Sequence, residues 1–553
     1  MAAPVVGTAA PAAESITNNQ VQGVDEGDIV KQHGDQLVIL RRGRLFSVSL
    51  AGGHMRPISA INAYPPGVDA NGDWYDEMLI TGDRIVVIGY SYSRGGTQVN
   101  RFKIDGAGKI TFVDAYQLRS NDYYSSRNYA SRLIGTKLIV YSPLYIPYYD
   151  ADPSVALPGM RRWTGDPKAG FKRINTAHEV YYAPEVADDQ IDVVHTVTTC
   201  DLAAPTMTCK ATSVFGPSGD VFYVSQTAVY VWLSPWWGDN TRKRASSLLY
   251  RLPLNGGAPS AIGVRGGPVD QFGFREDADG MLNVLVRANS AGDAMWTSHF
   301  SSGDVALLRL PLSAMGNGMS EAPARAYRDL PEPKSGGYDF HNRFAGDYVL
   351  YGMGSGWGAP ADTNATLYAA PVRGGETASL RLPHAVDRIE LMGRDAVVVG
   401  SDSRNVYFST VLLGGGPKLG DRYTETDAAQ GETRSHGFFF KPEGPDGDGV
   451  LGLPVTMPAA PGYSQLFSTS AAMLYLRRAD GRFASLGQLK ANDASAVEDK
   501  CVASCTDWYG NARPIFLGQR TFALMGYELV EGVTERDRVR EVGRVNFAPG
   551  GGR

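Results

Sequence analysis

Short apolar runs that stop at glycine recur from one end of this chain to the other. Leu37-Val38-Ile39-Leu40 is followed by a turn at Gly43 and then by Leu45-Phe46-Ser47-Val48. Met78-Leu79-Ile80 meets Gly82-Asp83 and continues as Ile85-Val86-Val87-Ile88; Phe344-Ala345 meets Gly346-Asp347 and continues as Tyr348-Val349-Leu350-Tyr351. The same grammar appears at 132–141, 221–233, 271–286, 389–399, 438–455 and 514–525. Runs this short, bounded by Gly-Asp or Gly-Xaa pairs, predict strands joined by tight hairpins. No long segment carries the helical period of apolar positions.

Each unit reads as strand, turn, strand, variable loop and further strands. One such sheet cannot bury both of its faces alone, and radial packing of repeated sheets solves this while protecting their edges. The prediction is therefore an all-β chain folded as a single β-propeller. Nine candidate units can be counted, and a closing blade shared by the N- and C-terminal strands makes eight; eight blades, within a range of seven to nine, is the expectation. Two stacked β-sandwiches are the competing fold, but they give no reason for the repeated strand–Gly-Asp–strand openings. The propeller is expected over 18–548, after a flexible Ala- and Pro-rich leader at 1–17 and before a tail at 549–553, with an insertion at about 145–188 in the third unit.

Composition fits this picture. Gly 65 and Pro 32 in 553 residues suit many strands joined by tight turns, and 43% hydrophobic residues suffice for a large core. A formal net charge of −5 leaves no electrostatic footprint for nucleic acid. No apolar run approaches the roughly 18 residues of a transmembrane helix. The four cysteines form two local pairs, Cys200 with Cys209 and Cys501 with Cys505. Such pairs in a strand-rich chain favour disulfides and an oxidising compartment, with zinc as the alternative. The opening Met1-Ala2-Ala3-Pro4 lacks the basic flank and apolar stretch of a signal peptide, so the expectation is a secreted or periplasmic protein whose signal has been removed.

A family likeness rests on Gln22-Gly23-Val24-Asp25-Glu26-Gly27-Asp28-Ile29-Val30-Lys31. This stretch resembles the opening signature of secreted bacterial and archaeal proteins with a β-propeller domain distantly related to WD-repeats. Asp448-Gly449-Val450-Leu451-Gly452-Leu453-Pro454-Val455 is similar to that family's leucine-rich strand ending in Pro-Val, and Arg513-Pro514-Ile515-Phe516-Leu517-Gly518 resembles its final blade opening. The likeness runs over about 18–547; the long insertion and both cysteine pairs depart from it. It implies a propeller and secretion, and supplies no catalytic residue.

Several constellations carry candidate chemistry. Asp25, Glu26 and Asp28 either present carboxylates at the propeller mouth to a metal or cationic group, or cap backbone N–H groups where the ends of the ring meet. Asp69, Asn71 and Asp73 have the alternating oxygens that begin a calcium loop, though Trp74 stands where an EF-hand has glycine and Ile80 where it has its closing Glu. The competing reading is a solvated turn, and calcium is at most a stabilising ion. The eight histidines form no HExxH pair, and no Gly-Xaa-Ser-Xaa-Gly elbow, Walker loop or Rossmann fingerprint is present. Aromatic loops stand out instead: Tyr145, Tyr148, Tyr149, Trp163, Trp236 and Trp237 lie in or beside inter-strand loops, several stiffened by proline. Rigid rings of this kind bind glycans, peptides or protein partners, or else simply cover the blade surface. The expected function is a non-catalytic propeller that binds a partner protein, peptide or glycan through aromatic loops on one face. The alternatives are a hydrolase or metal-dependent enzyme with its site in the axial funnel, and a structural cell-envelope protein.

Overall fold

The computed structural model describes residues 15–549, except 124, 126–128, 147–156, 167–168, 176–178, 185–190, 236–246, 291–300, 334–338, 356–363, 403, 445–446, 459–468 and 493–498. Among the described residues the strands form nine sheets in chain order, antiparallel but for two added edge strands. Blade 1 covers 30–62, blade 2 74–118, blade 3 131–216, blade 4 219–264 and blade 5 274–330. Blade 6 covers 339–382, blade 7 388–426, blade 8 429–490 and blade 9 512–546. Helical structure among the described residues is confined to short 3-10 turns.

The apolar runs are buried because each sheet packs face to face with the next. Nine buried clusters each join two consecutive blades: Val38, Leu45, Ile85 and Phe102 between blades 1 and 2, for example, and Val397, Phe408, Leu451 and Leu474 between blades 7 and 8. The ninth cluster closes the ring. Ile39, Phe46 and Val48 of blade 1 pack on Ile515, Phe522 and Leu529 of blade 9, with the Phe46 ring centroid 5.8 Å from Tyr527 and 5.1 Å from Phe547.

The count of nine lies within the expected range. It exceeds eight because the two chain ends do not share a blade. Residues 30–62 make all four strands of blade 1, and residues 512–546 make all four of blade 9. Closure comes from side-chain packing between the two sheets.

In six of the nine blades the first two strands meet through a two-residue turn. Gly34, Gly82, Gly135, Gly346, Gly393 and Gly518 each take the first turn position with φ between +54° and +61°. That backbone region excludes most side chains, and glycine at the first position is the mark of a type II′ hairpin. Antiparallel alternation puts these turns, and those between third and fourth strands, on one face of the ring, the turn face. The loops between second and third strands and the linkers between blades lie on the opposite, loop face.

Added strands cover several outer edges, which blunts edge-to-edge association. Within the third-unit insertion, Gly159–Arg162 pairs with Ile110–Leu118 of blade 2 and Val180–Tyr181 runs parallel to Thr208–Gly216 of blade 3. Asn317–Glu321 runs parallel to Ser260–Val264 of blade 4. Both cysteine pairs are disulfides. Cys200 and Cys209 face each other across a hairpin of blade 3, and Cys501–Cys505 sits in the linker between blades 8 and 9. Neither pair is left to serve zinc.

Candidate functional site

The N-terminal segment is the element that organises the axis. Before entering blade 1 it crosses the turn-face end of the channel and touches most of the ring. Asn18 Nδ2 donates to Glu390 Oε2 and to the Ser435 carbonyl, both at 3.1 Å, and Gln20 Nε2 donates to the Gln271 carbonyl at 2.8 Å. Gln226 Nε2 donates to the Gln22 carbonyl at 2.6 Å. Asp25–Glu26 then pairs as a short strand with Ser131–Ile134 of blade 3, and Asp28 makes a backbone bridge to Met78 of blade 2. A funnel of about 890 Å³ remains on this face, walled by the segment itself and by Ile80, Leu133, Leu391 and Phe440.

The acidic signature is part of this strap, and the cationic groups it meets come from the chain itself. Asp25 pairs with Lys31 at 2.8 Å. Glu26, 2% exposed, stands 3.8 Å from the Arg132 guanidinium and 3.1 Å from His436 Nε2. Burial pushes its carboxyl up, but Arg132 and His436 outweigh burial and bring it down to about 2. Asp28 pairs with Arg513 at 2.8 Å and accepts the Ile29 N–H at 2.7 Å; against its burial, Arg513, His436 and Lys31 hold it below the usual range. The ends of the ring therefore meet through Asp28 and Arg513, and two of the carboxylates accept backbone N–H groups, Asp28 from Ile29 and Glu26 from Gln20.

Deeper in the channel, Arg513 also reaches Glu432 at 3.2 Å, and Glu390 pairs with Arg388 at 3.1 Å and Arg343 at 3.4 Å. Asp76, on a bulge of the first strand of blade 2, is buried, which pushes its carboxyl well up; Asp507 and Glu77 push the same way, against Ser504 and Arg434. The neighbouring Glu77 accepts Ala130 N–H, Ser131 N–H and Ser131 Oγ–H. Among the described residues, no group of three or more His, Cys, Asp or Glu is placed to hold a metal ion.

The Asp69–Asn71–Asp73 turn is held from within. Asp69 Oδ1 accepts Asn71 N–H at 3.0 Å, Arg94 donates to the Asp69 carbonyl at 2.9 Å, and the same guanidinium pairs with the buried Asp73 carboxylate. Arg94 thus stands at the point where a bound cation would meet Asp73. Of the aromatic loop residues, Tyr145 is 53% exposed and its N–H donates to Asn121 Oδ1. Trp163 is half-buried at the edge of blade 2, its N–H donating to the Ala115 carbonyl. Tyr148, Tyr149, Trp236 and Trp237 lie outside the described residues.

A second aromatic group, drawn from other loops, frames a cavity on the loop face. It has a volume of about 390 Å³ and is walled by Trp74, Tyr92, Trp508 and Tyr509, with Asn71, Asp73, Asp122 and Thr506 among its polar lining. The linker between blades 8 and 9 builds one wall by reaching across blade 1 as far as blade 2. Arg42 holds Asp499 at 2.8 Å, Arg41 holds Asp507 at 3.1 Å, and Ser504 N–H donates to the Asp73 carbonyl at 3.0 Å. Tyr92 and Trp508 are 64% and 45% exposed at the rim, beside Val502. Asp122 forms the polar floor, accepting Trp74 Nε1–H at 3.3 Å and the Tyr92 hydroxyl. Burial raises its carboxyl, and these donors together with the Tyr123 backbone N–H only partly offset that.

The profile of the Beta propeller domain family matches residues 14–319. The chain belongs to that family. The match starts at the axial strap and runs through blade 4 into blade 5, so it includes the acidic signature, while the motifs at 448–455 and 513–518 fall in the second strand of blade 8 and the first of blade 9. No curated protein matches the chain. Among solved structures, it is similar to one from a study of two prolyl endopeptidases, at 9% identity and TM-score 0.34, covering 85% of this chain. The chain spans about half of that one, 55% of its length. It is also similar to apo AztD from Citrobacter koseri, at 10% identity and TM-score 0.34, covering 95% of this chain and 94% of that one. A hypothetical selenium-binding protein from Sulfolobus tokodaii follows at 11% identity and TM-score 0.29, covering 61% of this chain and 88% of that one. At these values none of the three bears on activity.

Within this family member the aromatic cavity was the part hardest to anticipate. Trp74, Tyr92, Asp122 and Trp508 come from four separate stretches. The one signal they share is local: each stands in or beside a loop-face connection.

Proposed function

We propose that this propeller is secreted or periplasmic and binds a partner protein, peptide or glycan on its loop face without carrying out chemistry. The carrying observation is the aromatic cavity: exposed rings at the rim, a carboxylate floor and a volume within the range of ligand sites. Exposed large aromatics around a concavity are the feature that most often marks a recognition surface. Two disulfides among the described residues, and the lack there of any helix long and apolar enough to cross a membrane, are compatible with a location outside the cytoplasm. In the axial channel, Glu26, Asp28, Glu390 and Glu432 are engaged by cationic groups from other parts of the chain, which suits a role in holding the ring together.

The test is a pair of arrays, one of defined peptides and one of glycans, probed with the protein and with Trp508→Ala. Reproducible binders on one array whose signal drops at least about tenfold in the variant support the reading. Silence on both arrays, or binding indifferent to the substitution, rules out this cavity as the recognition site.

A further inference from the structure

Among the described residues the charged lining of the loop-face cavity has one sign. Asp73 and Asp122 contribute to it, and no described lysine or arginine does. The two carboxylates are not equivalent. Asp73 is matched by Arg94, which also receives support from Tyr75 and the Asp69 carbonyl. Among the described residues Asp122 meets only neutral donors, Trp74 Nε1–H, Tyr92 O–H and the Tyr123 backbone N–H, which leave its charge uncompensated. A partly buried carboxylate without a counter-ion is costly, and a bound cation is the direct way to relieve it. The remaining walls suit a cation equally well. Trp74, Tyr92 and Trp508 line the space with aromatic rings, and the faces of indole and phenol rings attract ammonium groups, more strongly once water is excluded. At the rim, Val502 and Trp508 offer apolar surface to whatever carries the charge.

We propose that this cavity takes an alkylammonium group of the kind that ends a lysine side chain. An aliphatic stem would lie along Val502 and Trp508, and the ammonium would sit among the rings over Asp122. Lysine is built this way, an apolar stem with a charged head, and so it bridges an apolar rim and a carboxylate floor. The inference rests on the loop-face recognition reading and narrows its partner to a peptide or protein presenting lysine. A neutral glycan would stack on the same rings but leave the Asp122 charge unanswered.

Quenching of tryptophan fluorescence in the full chain tests this with defined probes. Nα-acetyl-lysine methylamide and butylammonium are titrated beside the neutral isostere Nα-acetyl-norleucine methylamide, choline and N-acetylglucosamine. Saturable binding of the lysine probe, at least about tenfold tighter than norleucine, is expected from the loss of a charge-assisted contact. Asp122→Asn should abolish that preference. Its amide oxygen still accepts from Trp74 and Tyr92, and thermal melting checks that the fold is kept. Butylammonium binding alongside lysine assigns recognition to the charged end of the side chain. Equal binding of norleucine, tighter binding of choline or N-acetylglucosamine, or an Asp122→Asn variant that keeps the lysine preference overturns the inference while leaving the cavity a recognition site. Failure of every probe, together with silent arrays, removes both.

Discussion

Asp28 and Arg513 are separated by 485 positions in the chain and by 2.8 Å in the fold. Their pairing shows what a buried charge needs here: a partner from the far end of the sequence, plus hydrogen bonds to spend its remaining groups, as Arg513 does on Tyr129, Tyr509 and Glu432. His195 shows the opposite solution, a buried group kept neutral. Its Nε2 lies 2.9 Å from the Pro217 carbonyl, which can only accept, so Nε2 carries the proton and Nδ1 accepts from the Tyr141 hydroxyl at 2.7 Å. Burial lowers the imidazole to about 4, against a smaller upward pull from Pro217. The native state therefore binds fewer protons than the unfolded chain between that value and about 6.5. The His195 contribution is whole above pH 6.5, declines as pH falls, and is gone below about 4, a loss of about 3 kcal/mol. Asp76 and Glu77, whose carboxyls are raised by burial, titrate in the other direction across part of this window, so the difference from His195→Gln is the quantity to follow. Denaturant melts at steps from pH 7.5 to 4 should show the variant with a shallower decline than the parent. Parallel curves for the two would mean the imidazole is not the titrating group.

Among the elements, those legible in the sequence were the ones whose signal is local. A glycine at the first turn position dictates the II′ hairpin between two apolar runs, and six blades repeat it. Closure was not legible, because it depends on which distant sheets pack: Phe46 on Phe547, and residues 499–508 across blade 1. The cavity was lost for the same reason. Aromatic loops could be recognised as a type, but only the ring brings Trp74 and Trp508 to one space. The Cys501–Cys505 disulfide shapes the linker that makes this wall, whereas Cys200–Cys209 pins a hairpin on the turn face. Both are expected to resist thiol reagents in the unfolded but unreduced protein, giving no free thiol until reductant is added. Replacing either pair by serine should cost about 2 kcal/mol, from the entropy of the short loops it closes. Only the Cys501/Cys505 double variant should also weaken ligands at the cavity. Equal ligand affinity in both double variants would detach the linker from recognition.

At the scale of the whole molecule the ring has a third means of closure beside the blade 9–blade 1 packing and the loop-face linker. The N-terminal strap binds blades on opposite sides of the axis, and it contributes the carboxylates of Glu26 and Asp28 that face Arg132 and Arg513. A propeller is stable only as far as its weakest junction holds, since each sheet leans on its two neighbours. The strap ties several junctions at once, so its loss acts on the ring as a unit. A variant beginning at residue 29 takes the Glu26 and Asp28 carboxylates away from two buried guanidiniums, and losing one partner of a buried pair costs roughly 3–5 kcal/mol, less at Arg513, which keeps Glu432. The variant should melt at a much lower temperature than the parent or fail to fold alone. A synthetic peptide of residues 15–28, added in excess, should restore the melting temperature, because binding to the folded ring stabilises it by mass action. The matching peptide with Glu26→Gln and Asp28→Asn has the same backbone and much the same shape but none of the charge at these two positions, and should restore far less. If the shortened chain melts with the parent, the ring is closed without the strap and the acidic signature is not a clasp.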